Sequence, residues 1–251
     1  RLTFEYVLLA GVNDSPDHAR RLAKLLRGRP ALLNVIPYNL VAGLPYQTPS
    51  SQAEREFSNV LEQAGITRIY KYSQLFHVAK ALASMPLPRG NRVSFLSPSG
   101  AFTVCLTDLA RVNGLEIPAI GEKARQRLQR ISPSFIRMRN PVDIFGSAGL
   151  VGYEKAYGDA LDAVLSDRNI DAAVVIMMLT TESGIPGYDF LVKLARKHRR
   201  KPFYVTFMGQ HEHNVAAKAY LEPRGVPCYM QVEEPFEVLS VLARCRRSLG
   251  R

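Results

Sequence analysis

A short run of small and hydroxyl-bearing residues, Ser97-Pro-Ser-Gly-Ala-Phe102, has the composition of a phosphate-binding loop. It follows the apolar stretch Val93 to Leu96 and precedes a helical pattern that ends at Asn113-Gly114. A strand that turns sharply into a helix directs free backbone N–H groups at one point, where the helix dipole also favours an anion. A tight packing turn is the alternative interpretation. The predicted phosphate-binding residues are Ser97, Ser99, Gly100, Ala101 and Phe102.

A second polar run, Asn140-Pro-Val-Asp143, follows a segment that we expect at the same edge of the sheet. Asn140 precedes a proline and is therefore expected to be extended. Asp143 could bind a loop amide or orient the phosphate, so Asn140 and Asp143 are predicted supporting residues, with turn chemistry as the alternative. No side chain has the spacing of a catalytic group, and we predict none.

Composition limits the classes of protein to which the chain could belong. The 251 residues are 47% hydrophobic, which is enough for a sizeable core, and no apolar run is long enough to span a membrane. The net charge of +11 comes partly from basic clusters at 193–201 and 244–251. These clusters indicate either attraction to nucleic acid or nucleotides, or solvated helix ends, and we favour the second. The start at Arg1, without a visible signal peptide, suggests a fragment or a processed chain of cytoplasmic origin.

Cysteine and histidine spacing gives no metal site. Cys105, Cys228 and Cys245 are far apart and lie in apolar surroundings, so we predict buried free thiols in a reducing compartment. The pair His211 and His213 on a loop before a helix makes a poor metal site by itself. We therefore predict no metal ligands.

Element patterns divide the chain into two parts. The first part reads as strand, helix, strand and helix, which implies parallel pairing. A helix with Leu75, Phe76, Ala79 and Leu82 facing inward follows, and then a rigid Pro-rich connector. From Val93 onward, strands and helices alternate, which predicts an α/β fold with a doubly wound parallel sheet. The expected later strands lie at 171–179, 202–208 and 226–230, and the expected later helices at 122–131, 153–165, 189–197, 214–221 and 235–246.

Residues 1–67 resemble the last barrel units of the radical S-adenosylmethionine rRNA adenine methyltransferases. The resemblance rests on Phe4-Glu-Tyr-Val-Leu-Leu-Ala-Gly-Val-Asn-Asp-Ser15, Leu33-Asn-Val-Ile-Pro-Tyr-Asn39 and Gly43-Leu-Pro-Tyr46. It implies that Asn39 contacts S-adenosylmethionine, with a turn role as the alternative, and that RNA is a partner. The family also carries a 4Fe–4S cluster, but no cysteine precedes Cys105, so the cluster ligands are absent from this sequence.

Residues 69–248 resemble the C-terminal ligase module of NDP-forming (ADP-forming) acyl-CoA or acetyl-CoA synthetases, relatives of succinyl-CoA synthetase. No single motif decides this; an ordered set does. The set comprises Phe76-x-Val-Ala-Lys-Ala-Leu82, Pro86-Leu-Pro-Arg-Gly-Asn-Arg-Val93, Ser97-Pro-Ser-Gly-Ala101, Asp108, Gly114-Leu-Glu116, Asn140-Pro-Val-Asp143, Asp171, Lys201-Pro202, Met208-Gly209 and Gly225-Val-Pro227. The resemblance implies a flavodoxin-like, succinyl-CoA synthetase-like sheet.

In that family a histidine carries a phosphoryl group, and two helix N-termini cradle it. The resemblance implies that one of these helices opens at Ser99. It also implies CoA and ADP or ATP as ligands, with a His-bearing CoA-ligase domain and an ATP-grasp domain or subunit as partners. Two departures stand out. The family usually has Gly-Gly-Pro-Gly where this chain has Gly100-Ala-Phe-Thr103, and none of the five histidines has the family's Ser-His-Thr-Gly context.

The two resemblances meet near Thr67, which suggests a chimera or a fusion of unrelated pieces, with an artefact of sequence assembly favoured over a true fusion. We expect a methyltransferase-like segment at 1–67, a helix and linker at 68–91, and a ligase-like domain at 92–251. The leading hypothesis is a ligase module of an acid–thiol ligase, inactive by itself. The alternatives are a piece of a methyltransferase and a non-catalytic phosphate- or CoA-binding module.

Overall fold

A computed structural model describes residues 2–29, 31–180 and 187–249. The chain forms two compact units, one of residues 1–68 with 247–251 and one of residues 69–246. No helix in the described ranges combines the length and the apolar character that a membrane crossing needs. The segment boundaries predicted from the sequence, after residues 67 and 91, stay predictions.

The first unit is a parallel βαβα motif. Its elements are β1 (Leu2–Leu8), α1 (Pro16–Leu26), β2 (Ala31–Pro37) and α2 (Ser51–Gln63). The hydroxyl of Ser15 caps α1, and the hydroxyl of Ser50 accepts a hydrogen bond from the Ala53 amide at the start of α2. Both helices pack on one face of the two strands. The small core consists of Leu8, Ala19, Ala23, Phe57 and Leu61.

The second unit contains a five-stranded parallel sheet. Its strands are β3 (Val93–Ser97), β4 (Val142–Asp143), β5 (Ala172–Leu179), β6 (Phe203–Gly209) and β7 (Cys228–Tyr229). Their spatial order is β4-β3-β5-β6-β7. With β3 as the first strand, this is the flavodoxin-like order 2-1-3-4-5. The predicted α/β, flavodoxin-like fold is therefore confirmed.

Helices connect and cover these strands. They are α3 (Tyr72–Ser84), α4 (Gly100–Val112), α5 (Glu122–Arg130), α6 (Phe145–Val151), α7 (Tyr153–Ser166), α8 (Asp189–Lys197), α9 (His211–Leu221) and α10 (Glu234–Leu249). Strand β3 is buried at every position, and β5 at every position but one, as expected for strands covered on both faces. Helix α9 starts three residues earlier than predicted, so His211 and His213 belong to its first turn and not to a loop.

Helix α3 is rotated by about one residue from the predicted orientation, so a neighbouring face packs inward. Gln74, Val78 and Ala81 are buried, whereas Phe76 is 58% exposed and Leu82 is 47% exposed. The inward face is held by polar contacts, because Lys71 and Gln74 reach Glu237, and Lys80 pairs with Glu222 at 2.8 Å. The inward face is apolar at Val78 and Ala81, but Phe76 and Leu82 were wrongly predicted to belong to it, since Gln74 and Lys80 turn toward carboxylates of neighbouring elements.

Candidate functional site

The joint between β3 and α4 is a tight turn with its own hydrogen bonds. The Ser97 hydroxyl donates to the Ser99 carbonyl (3.0 Å) and accepts from the Ser99 amide (3.3 Å). The Ser99 hydroxyl in turn accepts from the Phe102 amide (3.5 Å), which makes Ser99 the N-cap of α4. The Ser97 hydroxyl is thus engaged as donor and acceptor, whereas Ser99 Oγ only accepts, so the donors left for a ligand are the backbone amides and the Ser99 O–H.

Two of those amides are free. In the part of the chain that the structure describes, the N–H groups of Gly100 and Ala101 have no hydrogen-bond acceptor, and both residues are exposed. Phe102 packs against the core instead of covering the helix start. The first turn of α4 therefore offers two exposed donors at the positive end of a 13-residue helix.

Asp143 lies beside this turn. Its backbone pairs with Ser97 across β3 and β4, and its Oδ1 accepts a hydrogen bond from the Phe145 amide (3.1 Å). Its Oδ2 lies 2.9 Å from the point where a Cβ would stand on Gly100. Gly100 allows this close approach, and a carboxylate stands next to the two free amides.

Asn140 is not brought to this cluster. Its Nδ2 donates to the carbonyls of Val93 and Pro118, both at 2.9 Å. Val93 opens β3 and Ser97 closes it, so Asn140 sits at the amino end of the strand, roughly 13 Å from the turn at about 3.3 Å per residue. The expectation that Asn140 and Asp143 share one edge of the sheet is corrected, because the Asn140 amide satisfies backbone carbonyls at the other edge.

The turn occupies the topological switch point of the sheet, where chain connections leave β3 and β5 toward opposite sides. Ligands of doubly wound folds bind in the crevice at this point. Tyr153 fixes the end of β5: its hydroxyl donates to the Met178 carbonyl (3.0 Å) and accepts from the Met178 amide (2.9 Å). Burial raises the pKa of Tyr153 to about 12, so the phenol stays protonated for this bridge.

In the first unit, Asn39 follows the carboxyl end of β2 by two residues and is exposed. The backbone there is held to β1, since the Tyr38 amide donates to the Leu8 carbonyl (3.0 Å). Carboxyl ends of parallel strands carry the ligand sites of barrel folds. Asn39 has a position at which it could meet a ligand of that unit.

The described residues do not contain a metal centre. No group of three or more His, Cys, Asp or Glu side chains could hold an ion within them. Cys105 is exposed on α4, which corrects the prediction of a buried thiol, whereas Cys228 is buried and Cys245 is intermediate. The three thiols lie on three different elements, so an iron–sulfur cluster does not fit this set.

Comparisons with known proteins divide along the same two resemblances. No protein-family model matches the chain. It is 49% identical over 90 residues to a probable dual-specificity RNA methyltransferase RlmN from Rhodopirellula baltica, covering 36% of this chain and 24% of that protein. It is 29% identical over 191 residues to acetate–CoA ligase [ADP-forming] II from Archaeoglobus fulgidus, covering 75% of this chain and 28% of that protein. Both predicted resemblances are confirmed.

Solved structures support the fold. A dinucleotide-forming acetyl-coenzyme A synthetase 1 from Ca. Korarchaeum cryptofilum, in complex with phosphate and ADP, aligns with a TM-score of 0.73 at 22% identity over 99% of this chain and 54% of that chain. PH0766 from Pyrococcus horikoshii gives 0.71 at 21%, over 99% and 53%. The chain thus spans about a quarter of the curated relatives and about half of the solved ones.

The two curated matches share part of the chain. They cover 36% and 75% of it, which together exceed the whole, so at least about a tenth of the residues align with both proteins. A join between the two pieces therefore has a zone, and not a single residue, in which the sequence is compatible with both families.

Sequence reasoning missed three features around the turn. Helix α6 begins directly after Asp143 and was not predicted. Tyr153 was predicted only as the first residue of a helix, and its type alone gave no signal that its hydroxyl bridges the backbone of Met178. The contact between Gly100 and Asp143 joins residues 43 positions apart, which only a fold could reveal.

Proposed function

We propose that residues 69–246 act as the ligase module of an ADP-forming acyl-CoA synthetase, in which the N-terminus of α4 holds a phosphoryl group. The observation that carries the proposal is the pair of free amides of Gly100 and Ala101 at the switch point of a flavodoxin-order sheet. The similarity of three-quarters of the chain to an ADP-forming acetate–CoA ligase supports it.

In this proposal the module contributes binding and not covalent chemistry. Preorganised N–H donors stabilise the charge on phosphoryl oxygens and position the group for transfer. No described histidine has a hydrogen bond, ion pair or ring contact with residues 97–102, so the phosphorylated histidine would come from a separate His-bearing domain. CoA and ADP or ATP would be bound with that domain and with an ATP-grasp partner.

Two substitutions at one position test the amide donors. Gly100→Pro removes one N–H, and proline is favoured at the first position of a helix. The preceding Ser99 is extended (φ −153°, ψ 130°), which suits a residue before proline. Gly100→Ala adds the same Cβ next to Asp143 but keeps the N–H. The difference between the two variants isolates the hydrogen-bond donor.

Phosphate affinity is then measured by isothermal titration calorimetry on the full chain. A hydrogen bond to a charged group is worth about 1.5–3 kcal/mol, so Gly100→Pro should bind phosphate roughly tenfold or more weakly than Gly100→Ala. Equal affinities of the two variants would remove the role of the amide. Turnover is tested by adding the chain to a synthetase that lacks its own module, with acetyl-CoA, ADP and phosphate. Phosphate binding without restored ATP formation would favour the non-catalytic module.

A second candidate function applies to the first unit. The 49% identity to an RNA methyltransferase and the exposed position of Asn39 support a segment that contributes to S-adenosylmethionine binding and to an RNA substrate. Since a cluster does not fit the cysteines, no radical step is assigned to this chain. S-adenosylmethionine affinity should fall in Asn39→Ala but not in Asn34→Ala, an exposed asparagine within β2. Equal behaviour of both variants would reject the assignment.

A further inference from the structure

Two helices of the second unit carry basic residues at the same helical spacing. On α5, Lys123, Arg127 and Arg130 lie at positions i, i+4 and i+7. On α8 and the turn after it, Lys193, Lys197 and Arg200 repeat that spacing, with Arg196 between them. Residues so spaced within a helix lie along one side of it, and Arg200 follows α8 in the turn after its end. We call the surface that these side chains form the basic face, and its members are Lys123, Arg127, Arg130, Lys193, Arg196, Lys197 and Arg200.

A single carboxylate on α7 contacts basic residues of both α5 and α8. Asp162 Oδ2 pairs with Arg127 (2.5 Å), while its Oδ1 pairs with Lys197 (2.8 Å) and with the His198 ring (2.6 Å). Burial alone would raise the pKa of Asp162, but the hydrogen bonds from Lys197, His198 and Arg127 outweigh it and lower the pKa, so the carboxylate stays charged. The basic residues of α5 and those of α8 therefore flank α7 on one surface.

Helix dipoles do not account for this arrangement. Cations in the last turn of a helix are favoured by its dipole, which explains Arg130 and Arg196. Lys123 is in the first turn of α5 and Lys193 in the middle of α8, where the dipole gives no such preference. Neighbouring acids are already engaged, since Glu122 pairs with Arg125 (2.7 Å). In the described part of the chain, Lys123, Arg130, Lys193, Arg196 and Arg200 have no carboxylate partner and are exposed.

Asp162, where the basic residues of α5 and α8 meet, lies away from the turn between β3 and α4. Helix α7 starts at Tyr153, which contacts Met178 near the carboxyl end of β5. Asp162 follows nine residues later, about 13 Å farther along the helix axis and toward the amino edge of the sheet.

We propose that the basic face binds the phosphate backbone of duplex nucleic acid without sequence preference. Four of its seven members are arginines, whose planar forks match phosphate oxygens. The face includes no aromatic residue on which unpaired bases could stack, which disfavours a single strand. Leu191, Val192 and Leu194 of α8 are buried, and Phe190 packs partly buried against the core, which disfavours insertion of this helix into a membrane.

The test compares two variants with equal loss of charge. Arg130→Gln, Arg196→Gln and Arg200→Gln together remove three charges from the basic face and spare the partners of Asp162. The matched control removes three exposed arginines of the first unit, Arg21→Gln, Arg27→Gln and Arg55→Gln. Binding of a labelled 20-base-pair DNA duplex and of an RNA duplex of the same sequence is measured by fluorescence anisotropy from 50 to 200 mM KCl.

With about four phosphates contacted, affinity should fall roughly a hundredfold over that salt range. The basic-face variant should bind at least about tenfold more weakly at 50 mM KCl, with a salt slope reduced by about 3, and the control should bind like the parent. Three results would overturn the proposal. They are absence of duplex binding at 50 mM KCl, equal weakening of duplex binding in the control variant, and binding of the protein to phosphatidylserine vesicles but to neither duplex. None of these measurements depends on the turn between β3 and α4.

Discussion

A substitution at Asp143 gives the strongest test of anion binding at the turn before α4. Its carboxylate stands next to Gly100, and in the substitution Asp143→Asn the amide oxygen can still accept the hydrogen bond from the Phe145 amide. The local turn is therefore preserved while one negative charge is removed. If the two free amides bind an anion, that anion is repelled by Asp143 in the parent protein, and the variant should bind it more tightly.

The size of the effect follows from the geometry. The Oδ2 of Asp143 lies 2.9 Å from the Cβ position of Gly100, and an anion oxygen sits about 2.9 Å beyond the amide that binds it, so the two charges are roughly 6 Å apart. At an effective dielectric constant of about 20 to 40, two unit charges at that distance repel by about 1.4–2.8 kcal/mol. Asp143 is partly exposed, so we expect about 1–2 kcal/mol, which is a five- to thirtyfold lower Kd.

Calorimetric titration with sulfate and with phosphate provides the assay. Sulfate carries no proton at neutral pH and should show the full gain, whereas phosphate near pH 6 can donate a hydrogen bond to the Asp143 carboxylate and should gain less. Asp108→Asn is the matched control, since Asp108 is a 72% exposed acid on α4, the helix whose N-terminus carries the free amides. Equal affinities of Asp143→Asn and Asp108→Asn, or a weaker anion affinity in Asp143→Asn, would refute the reasoning.

Further predictions concern stability and the origin of the chain. A Cβ on Gly209 would stand 2.2 Å from the Leu179 carbonyl oxygen, so Gly209→Ala should lose about 2–4 kcal/mol in urea unfolding, against about 1 kcal/mol for Gly225→Ala, which has open space. Similar losses for both would contradict the close approach. Asp162→Asn should cost about 1–3 kcal/mol at pH 7. Because the folded pKa of Asp162 is lowered, its contribution is present above its ordinary pKa near 4 and is lost as pH falls below it, so the cost should shrink in acid; a cost constant from pH 7 to pH 2 would exclude this linkage. Long sequencing reads across codons 50–90 of the source DNA should continue into one gene on some molecules and into another gene on others if the join is an assembly artefact. An intact join in single molecules would establish a true fusion.

The alternation of strands and helices was readable from the sequence because local signals set it. Buried strands such as β5 are continuous apolar runs, and serine caps mark the starts of α1 and α4. Helix α8 was predicted with its observed limits, since its apolar spacing and its basic end agree. Such signals lie within a few residues of one another, so no knowledge of tertiary contacts is needed.

Features that depend on distant contacts were not readable. The periodicity of α3 indicates an amphipathic helix, but it cannot show that Gln74 reaches Glu237 and that Lys80 reaches Glu222, two contacts with distant parts of the chain. Asn140 gave the signal of a turn residue, and only the packing of the sheet shows that its amide serves Val93 at the opposite edge. Of the basic face, only the cluster at 193–201 was visible in the sequence, as a solvated helix end, because Asp162, which joins α8 to α5, belongs to a third element.

Gly100 shows how one residue meets two demands at the proposed site. The family pattern has two glycines and a proline at 100–103, and their loss here would weaken a loop whose backbone must approach a phosphate from every side. In this fold only one position is crowded, because Asp143 lies over Gly100, whereas Ala101 is exposed and Phe102 packs into the core. Alanine and phenylalanine are therefore compatible with two free amides, and the departure from the family pattern removes less of the anion site than the sequence alone suggests. What remains distinctive is the carboxylate, which makes the charge and the protonation of the anion, more than the size of the loop, the property that decides what this turn can hold.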